Sequence, residues 1–173
     1  MKKLAIILST IVIMLIVIFG TTYKQVNSDY LRIHIRANSN AEVDQLVKYK
    51  IKDAVVDALI PYVAECNSFE EVKIMIKEKL YLVDNVANTV LKQNGFNYEA
   101  KSKLAEEEFP TRSYNNFVLE AGYYDAIIVE LGEAKGDNWW CVVYPPLCFT
   151  SSNSGSNVVY KSRIIDMIKN FKK

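Results

Sequence analysis

The chain has 173 residues, with 21 Lys and Arg against 20 Asp and Glu for a net charge of +1, 50% hydrophobic residues, 6 Gly and 4 Pro. An ordinary apolar fraction with balanced charge excludes a collagen-like, coiled-coil or disordered chain. Without Lys2 and Lys3 the remainder carries 19 basic against 20 acidic residues and one His. That balance argues against nucleic acid as a partner, because phosphate binding needs a basic face to displace counterions.

Residues Leu4 to Phe19 are apolar except for Ser9 and Thr10. As a helix this run would span about 24 Å, slightly less than a hydrocarbon core of about 30 Å. Residues 1–22 therefore read as a signal peptide or signal anchor, a helix by which the chain meets the membrane. No Ala-x-Ala type site follows, so cleavage and retention both stay open, and the lysine pair places the rest of the chain outside the cytoplasm.

Residues Leu31 to Arg36 alternate, with Leu31, Ile33 and Ile35 on one face and Arg32, His34 and Arg36 on the other, which predicts a half-buried strand. From Asn40 the period becomes helical, with Val43, Leu46, Val47, Ile51, Ala54, Val55, Ala58 and Leu59 in one apolar stripe that ends near Pro61. Ser68 and Glu71 form a capping box, and Val72, Met75, Ile76, Leu80, Val83, Val86, Ala87, Val90 and Leu91 carry a second stripe toward Gly95. Two such helices with a short connector should pack antiparallel.

Beyond Gly95 strand-forming residues cluster at 98–109, 114–119, 123–131 and 139–144, and the polar stretch Gly132 to Asn138 reads as a hairpin turn joining the last two strands. The expected architecture is α+β, one domain over residues 30–150, with a mostly antiparallel sheet and two amphipathic helices packed on one face. Residues 151–157 are Ser, Asn and Gly and read as a flexible spacer, and 158–173 as a basic amphipathic C-terminal helix.

Catalysis finds little to stand on. A Ser/His/Asp triad would have to use His34, and no Gly-x-Ser-x-Gly elbow is present. The neighbouring Arg32 and Arg36 disfavour a protonated imidazole, and His34 suits a surface contact better than a general base. Glu106, Glu107 and Glu108 are consecutive and read as a solvated edge. Neither a Cys/His cluster nor a phosphate loop occurs, so no metal and no cofactor is expected. Cys141 and Cys148 flank Pro145-Pro146 and can close a disulfide that leaves Cys66 over; the alternative is three buried thiols.

What stands out instead is a set of segments with compositions too specific for plain loops. These are Ala37-Asn38-Ser39-Asn40, where one capping residue would suffice, Phe109-Pro110-Thr111, and Asn138-Trp139-Trp140-Cys141 running on to Pro145-Pro146. Adjacent Trp139 and Trp140 in a strand must point to opposite faces, so one of them is a candidate for a partner contact.

These residues resemble the stage II sporulation protein R family of endospore-forming Firmicutes. The resemblance runs through Ala37-Asn38-Ser39, Asp44-Gln45, Lys48, Lys52-Asp53, Phe109-Pro110-Thr111 with Tyr114, Ala121-Gly122-Tyr123, Gly132-Glu133-Ala134-Lys135-Gly136, Asn138-Trp139-Trp140-Cys141 and Pro145-Pro146-Leu147-Cys148-Phe149, over about residues 31–150. It implies a non-enzymatic signalling protein exported into the forespore–mother cell intermembrane space, membrane-anchored or released. There it would activate a membrane-embedded aspartic protease of the mother cell, which processes the precursor of sigma factor E. Candidate partner-binding residues are Asn38, Ser39, Asp44, Gln45, Pro110, Trp139, Trp140, Pro145 and Pro146. The competing reading is a secreted enzyme such as a cell-wall hydrolase using His34 or Glu106 to Glu108.

Overall fold

The computed structural model describes Lys3 and residues 26–114, 117–148 and 158–171. The apolar segment 1–22 and the spacer 151–157 lie outside the described residues, Lys3 apart. Strand β1 (Val26–Arg36) leads into helices α1 (Glu42–Val63) and α2 (Phe69–Gln93). Strands β2 (Ala100–Phe109), β3 (Arg112–Tyr114), β4 (Phe117–Leu119), β5 (Gly122–Leu131) and β6 (Asn138–Tyr144) follow, then helix α3 (Val158–Phe171).

The two helices form where the stripes predict them, with one correction. Val47, Ile51, Val55 and Leu59 are buried on α1, whereas Val43 and Leu46 point to solvent. Ser68 caps α2 by accepting from the Glu71 N–H, and Glu71 reaches back to the Asn67 N–H at 2.7 Å, so two orphan donors of the first turn are satisfied. On α3, Ile164 is buried in the main core with Met167 and Ile168 packed beside it.

The sheet is mixed rather than mostly antiparallel. Its order is β2-β5-β1-β6, with β1 parallel to β5 and the outer pairs β2/β5 and β1/β6 antiparallel. Residues 132–138 therefore do not close a hairpin. β5 and β6 flank β1, two strand spacings or about 10 Å apart, and the polar, glycine-containing stretch that resembles a hairpin turn instead steps across the end of β1. The expected strand at 114–119 is replaced by a separate ribbon in which Arg112 pairs with Leu119 and Tyr114 with Phe117.

Because β1 is central, it is buried on both faces, not one. Leu31, Ile33 and Ile35 join Ile127, Val129 and Leu131 of β5 under the helices, while Arg32 and His34 are also buried, on the far side. That far side has its own small apolar cluster of Phe109, Tyr124, Ala126 and Ile128, with Tyr30 and Trp140 packed against it.

Truncating Ile33 to Ala should remove a fully enclosed branch of the main core and cost about 2–5 kcal/mol. Ser68→Ala should cost about 1 kcal/mol through the lost cap. Urea titrations of both variants check that ordering.

Candidate functional site

The segment Ala37–Asn40 folds around one buried carboxylate. Asp44, in the first turn of α1, is 5% exposed. Its Oδ2 accepts from Asn38 Nδ2 at 2.9 Å and Ser39 Oγ at 2.5 Å, and its Oδ1 accepts from the Tyr98 hydroxyl at 2.6 Å. Burial alone would raise the Asp44 pKa, but the donors from Ser39, Tyr98 and Asn38 prevail and hold it below the ordinary carboxylate value. Burial and the Asp44 charge together push the Tyr98 hydroxyl well above its usual range. Helix α1 begins at an Ala41 N-cap without a side-chain cap bond, so neither Asn38 nor Ser39 is the N-cap. Their side chains serve Asp44 instead, and Ser39 Oγ also accepts from the Ala41 N–H.

The loop 132–138 is fastened to the same knot. Lys135 N–H donates to the Asn38 carbonyl at 3.1 Å and Gly136 N–H to the Ala37 carbonyl at 2.9 Å. Asn38 Oδ1 accepts from Glu133 N–H and Asn40 Oδ1 from Asp137 N–H. Lys48, buried, donates to Gln45 Oε1 at 2.6 Å and to the Asp137 carbonyl at 2.9 Å, while Gln45 Nε2 donates to the Ser39 carbonyl. A Cβ at Gly136 would lie 2.2 Å from the Ser39 carbonyl oxygen, and one at Gly132, where φ is +56°, would meet Asn38 Oδ1 at 2.3 Å. Both glycines are required by close approach of the two loops.

The far face of the sheet holds the second polar assembly. The Arg32 guanidinium, 0% exposed, lies 4.1 Å from the Phe109 ring centre and 4.9 Å from that of Tyr124, and donates to the Tyr114 hydroxyl at 2.8 Å. Aromatic faces thus replace water around a buried cation. His34, expected at the surface, is 4% exposed, and its Nδ1 sits 2.6 Å from Glu107 Oε2. Glu107 also pairs with Arg36, which bonds Glu130 at 2.9 Å. Burial pushes the His34 imidazole down to about 4; the Asn138 amide and Glu130 oppose that shift, while Arg36 and Arg32 add to it. The His34–Glu107 contact is therefore a hydrogen bond from a neutral ring at pH 7, not an ion pair. Of the three consecutive acids, Glu106 and Glu108 are exposed as expected of an edge, and Glu107 is not.

Trp139 and Trp140 do diverge. Trp139, opposite Ile35, packs toward the main core with Lys52 Nζ 5.8 Å from its ring centre. Trp140, opposite His34, stacks at 5.4 Å from that imidazole and is covered by the Arg112 guanidinium at 4.2 Å. Both rings are half-buried. Cys141 and Cys148 are joined in a disulfide with Cα atoms 5.9 Å apart, and Cys66 is buried with its thiol 3.4 Å from the Tyr62 carbonyl. Pro145 and Pro146 are buried and Pro110 is exposed.

The candidates thus separate. Asn38, Ser39, Asp44 and Gln45 gather where β1 ends, whereas Pro110 follows a β2 end that sits beside the start of β1, since Phe109 faces Gly122 and Val26 faces Tyr123. Asp44, Pro145 and Pro146 are committed to the domain interior, leaving Asn38, Ser39 and Gln45 half-exposed at the knot. Tyr98, Asn40 and Arg112 were not legible as contributors: each is brought in by a tertiary contact with no local periodicity to announce it. Among the described residues no group of three His, Cys, Asp or Glu side chains is placed to hold a metal.

The family described as stage II sporulation protein R matches residues 27–154. The chain belongs to this family. Stage II sporulation protein R of Bacillus subtilis (strain 168) is 38% identical over 128 residues, 74% of this chain and 57% of that protein. The chain thus aligns with somewhat over half the length of this relative. No solved structure matches. Family membership makes this a sporulation protein, and the matched region contains both the Asp44 knot and the Arg32–His34 face.

Asp44→Asn removes the charge while preserving shape, and should destabilise the fold by about 1.5–3 kcal/mol, read from a denaturant titration. For His34, a folded pKa of about 4 against 6.5 unfolded means the unfolded chain binds the proton first. Stability from this group is present above pH 6.5 and is lost as pH falls toward 4. Melting temperatures across that interval should fall in the wild type and flatten in His34→Gln. The stability that Asp44 contributes is fully present above its ordinary pKa of 3.8 and is lost only as pH falls below it, outside that window.

Proposed function

We propose that this chain is an exported signalling protein that activates a membrane-embedded aspartic protease of the mother cell, triggering processing of the sigma factor E precursor. The observation that carries the reading is the family match over residues 27–154, which takes in both long helices and all of the sheet but Val26. Export is supported by the lysine pair and the apolar run at Leu4 to Phe19. On this reading the chemistry belongs to the protease, and the domain acts by contact in the space between the forespore and mother-cell membranes.

Co-expression of the full chain, the protease and the sigma precursor in a non-sporulating host, followed by immunoblotting, tests it. Mature sigma factor should appear only when all three are present. Cleavage without the chain, or none with it, would overturn the proposal. A cytoplasm-dependent reporter fused after Lys173 should be inactive, and full activity would remove the export step.

A further inference from the structure

Two arginines on the far side of the sheet lack the counter-charge that neighbouring cations possess. Arg36 reaches Glu107 and Glu130, Lys103 reaches Glu130, and Lys73, on the helix side, reaches Asp125. Arg32 and Arg112 differ: among the described residues neither guanidinium is paired with an Asp or Glu.

The hydrogen bonding of Arg32 is incomplete as well. Its Nη2 donates to the Tyr114 hydroxyl, but Nε and Nη1 are enclosed with no hydrogen-bond partner. The rings of Phe109 and Tyr124 attract the charge, yet a ring face offers an N–H no lone pair to accept it. A fully buried cation with unmet donors is a standing cost to the fold.

Arg112 brings a second cation to the same place. It precedes Tyr114 by two positions on β3, and its guanidinium covers Trp140, which packs against the apolar cluster around Phe109 and Tyr124. Burial lowers the Arg32 pKa, Tyr114 and Tyr124 oppose that shift, and the Arg112 charge adds to it, so the two guanidiniums repel across the rings. The β3–β4 ribbon pairs with no strand of the main sheet and leaves Arg112 half-exposed, so the way to Arg32 runs between ribbon and sheet.

We propose that Arg32 and Arg112 form a binding site for an oxyanion from outside the chain, a carboxylate or phosphate group. The Nε and Nη1 donors of Arg32 hold it from below and Arg112 holds it at the mouth, with Phe109, Tyr124 and Trp140 as walls. Charge-assisted bonds from guanidinium to oxyanion are among the strong ones, and here they relieve a desolvation cost already borne by the empty fold. The site stands independently of the signalling role proposed above.

The test takes the full chain in a mild neutral detergent near pH 7 and exchanges chloride, at constant ionic strength, for inorganic phosphate or, separately, for acetate. Tryptophan emission reports occupancy because Trp140 stands at the mouth, and the melting temperature reports the linked stabilisation. At least one of the two anions should change the emission along a saturating curve in the millimolar range and raise the melting temperature by a few degrees. Arg112→Gln should weaken the apparent affinity by about tenfold or more, whereas Lys77→Gln, which removes an exposed charge from α2, should stay within about twofold of wild type. Arg32→Gln should abolish the response; should that variant fail to fold, the Arg112→Gln comparison decides. Saturation by phosphate alone assigns the site to a phosphoryl group and by acetate alone to a carboxylate, and either supports the proposal. A response to neither anion, a response that does not saturate, or one unchanged in Arg112→Gln overturns it.

Discussion

The carboxylate of Asp44 ties together, directly or through Asn38, three parts of the chain. Its ligands come from the β1–α1 junction through Asn38 and Ser39 and from the α2–β2 connection through Tyr98, and Asn38 in turn holds the backbone of the 132–138 loop. A buried carboxylate survives only if its lone pairs are occupied, so each of these segments is fixed by the same electrostatic demand. The consequence reaches the sheet. Loop 132–138, pinned over the end of β1, joins β5 and β6, which lie on either side of that strand, and β5 runs parallel to it.

The far side of the sheet solves a related problem differently. Arg32 and His34 cannot avoid burial once β1 is central, because the 112–119 ribbon and the rings of Phe109, Tyr124 and Trp140 cover them. Arg32 keeps its charge among π faces and the Tyr114 hydroxyl, whereas His34 gives its charge up and leans on Glu107. Burial lowers the pKa of both groups, but a guanidinium starts from 12.5 and an imidazole from 6.5, so two titratable groups two residues apart on one strand end in opposite protonation states.

Periodicity was a sound guide wherever a single face decides burial. The α2 stripe, the Ser68 cap, the divergence of Trp139 from Trp140 and the α1 stripe, apart from the solvent-facing Val43 and Leu46, could all be read locally. What local patterning missed depends on pairings between distant segments. The alternation of Leu31 to Arg36 looks like a half-buried strand because Arg and His look polar, and nothing nearby reveals that aromatic residues some 80 positions later will enclose them. Gly132 to Asn138 has the composition of a hairpin turn, and a wide crossing needs the same residues, so composition could not separate them. The Ala37–Asn40 block was visible as unusual, but its purpose became legible only with Tyr98 and the facing loop in place.

The parallel pairing also bears on the order in which the chain can fold. Arg36 meets Glu130 across 94 residues, and the other neighbour of β1 is drawn from Asn138–Tyr144. Loop-closure entropy makes such distant pairings late events, while the α1–α2 pair needs only a short connector and can form early. The central strand is therefore synthesised first and completed last. As the chain emerges N-terminus first, the sheet therefore stays open until residues near Tyr144 are available, and β1 spends that interval without either of its partner strands.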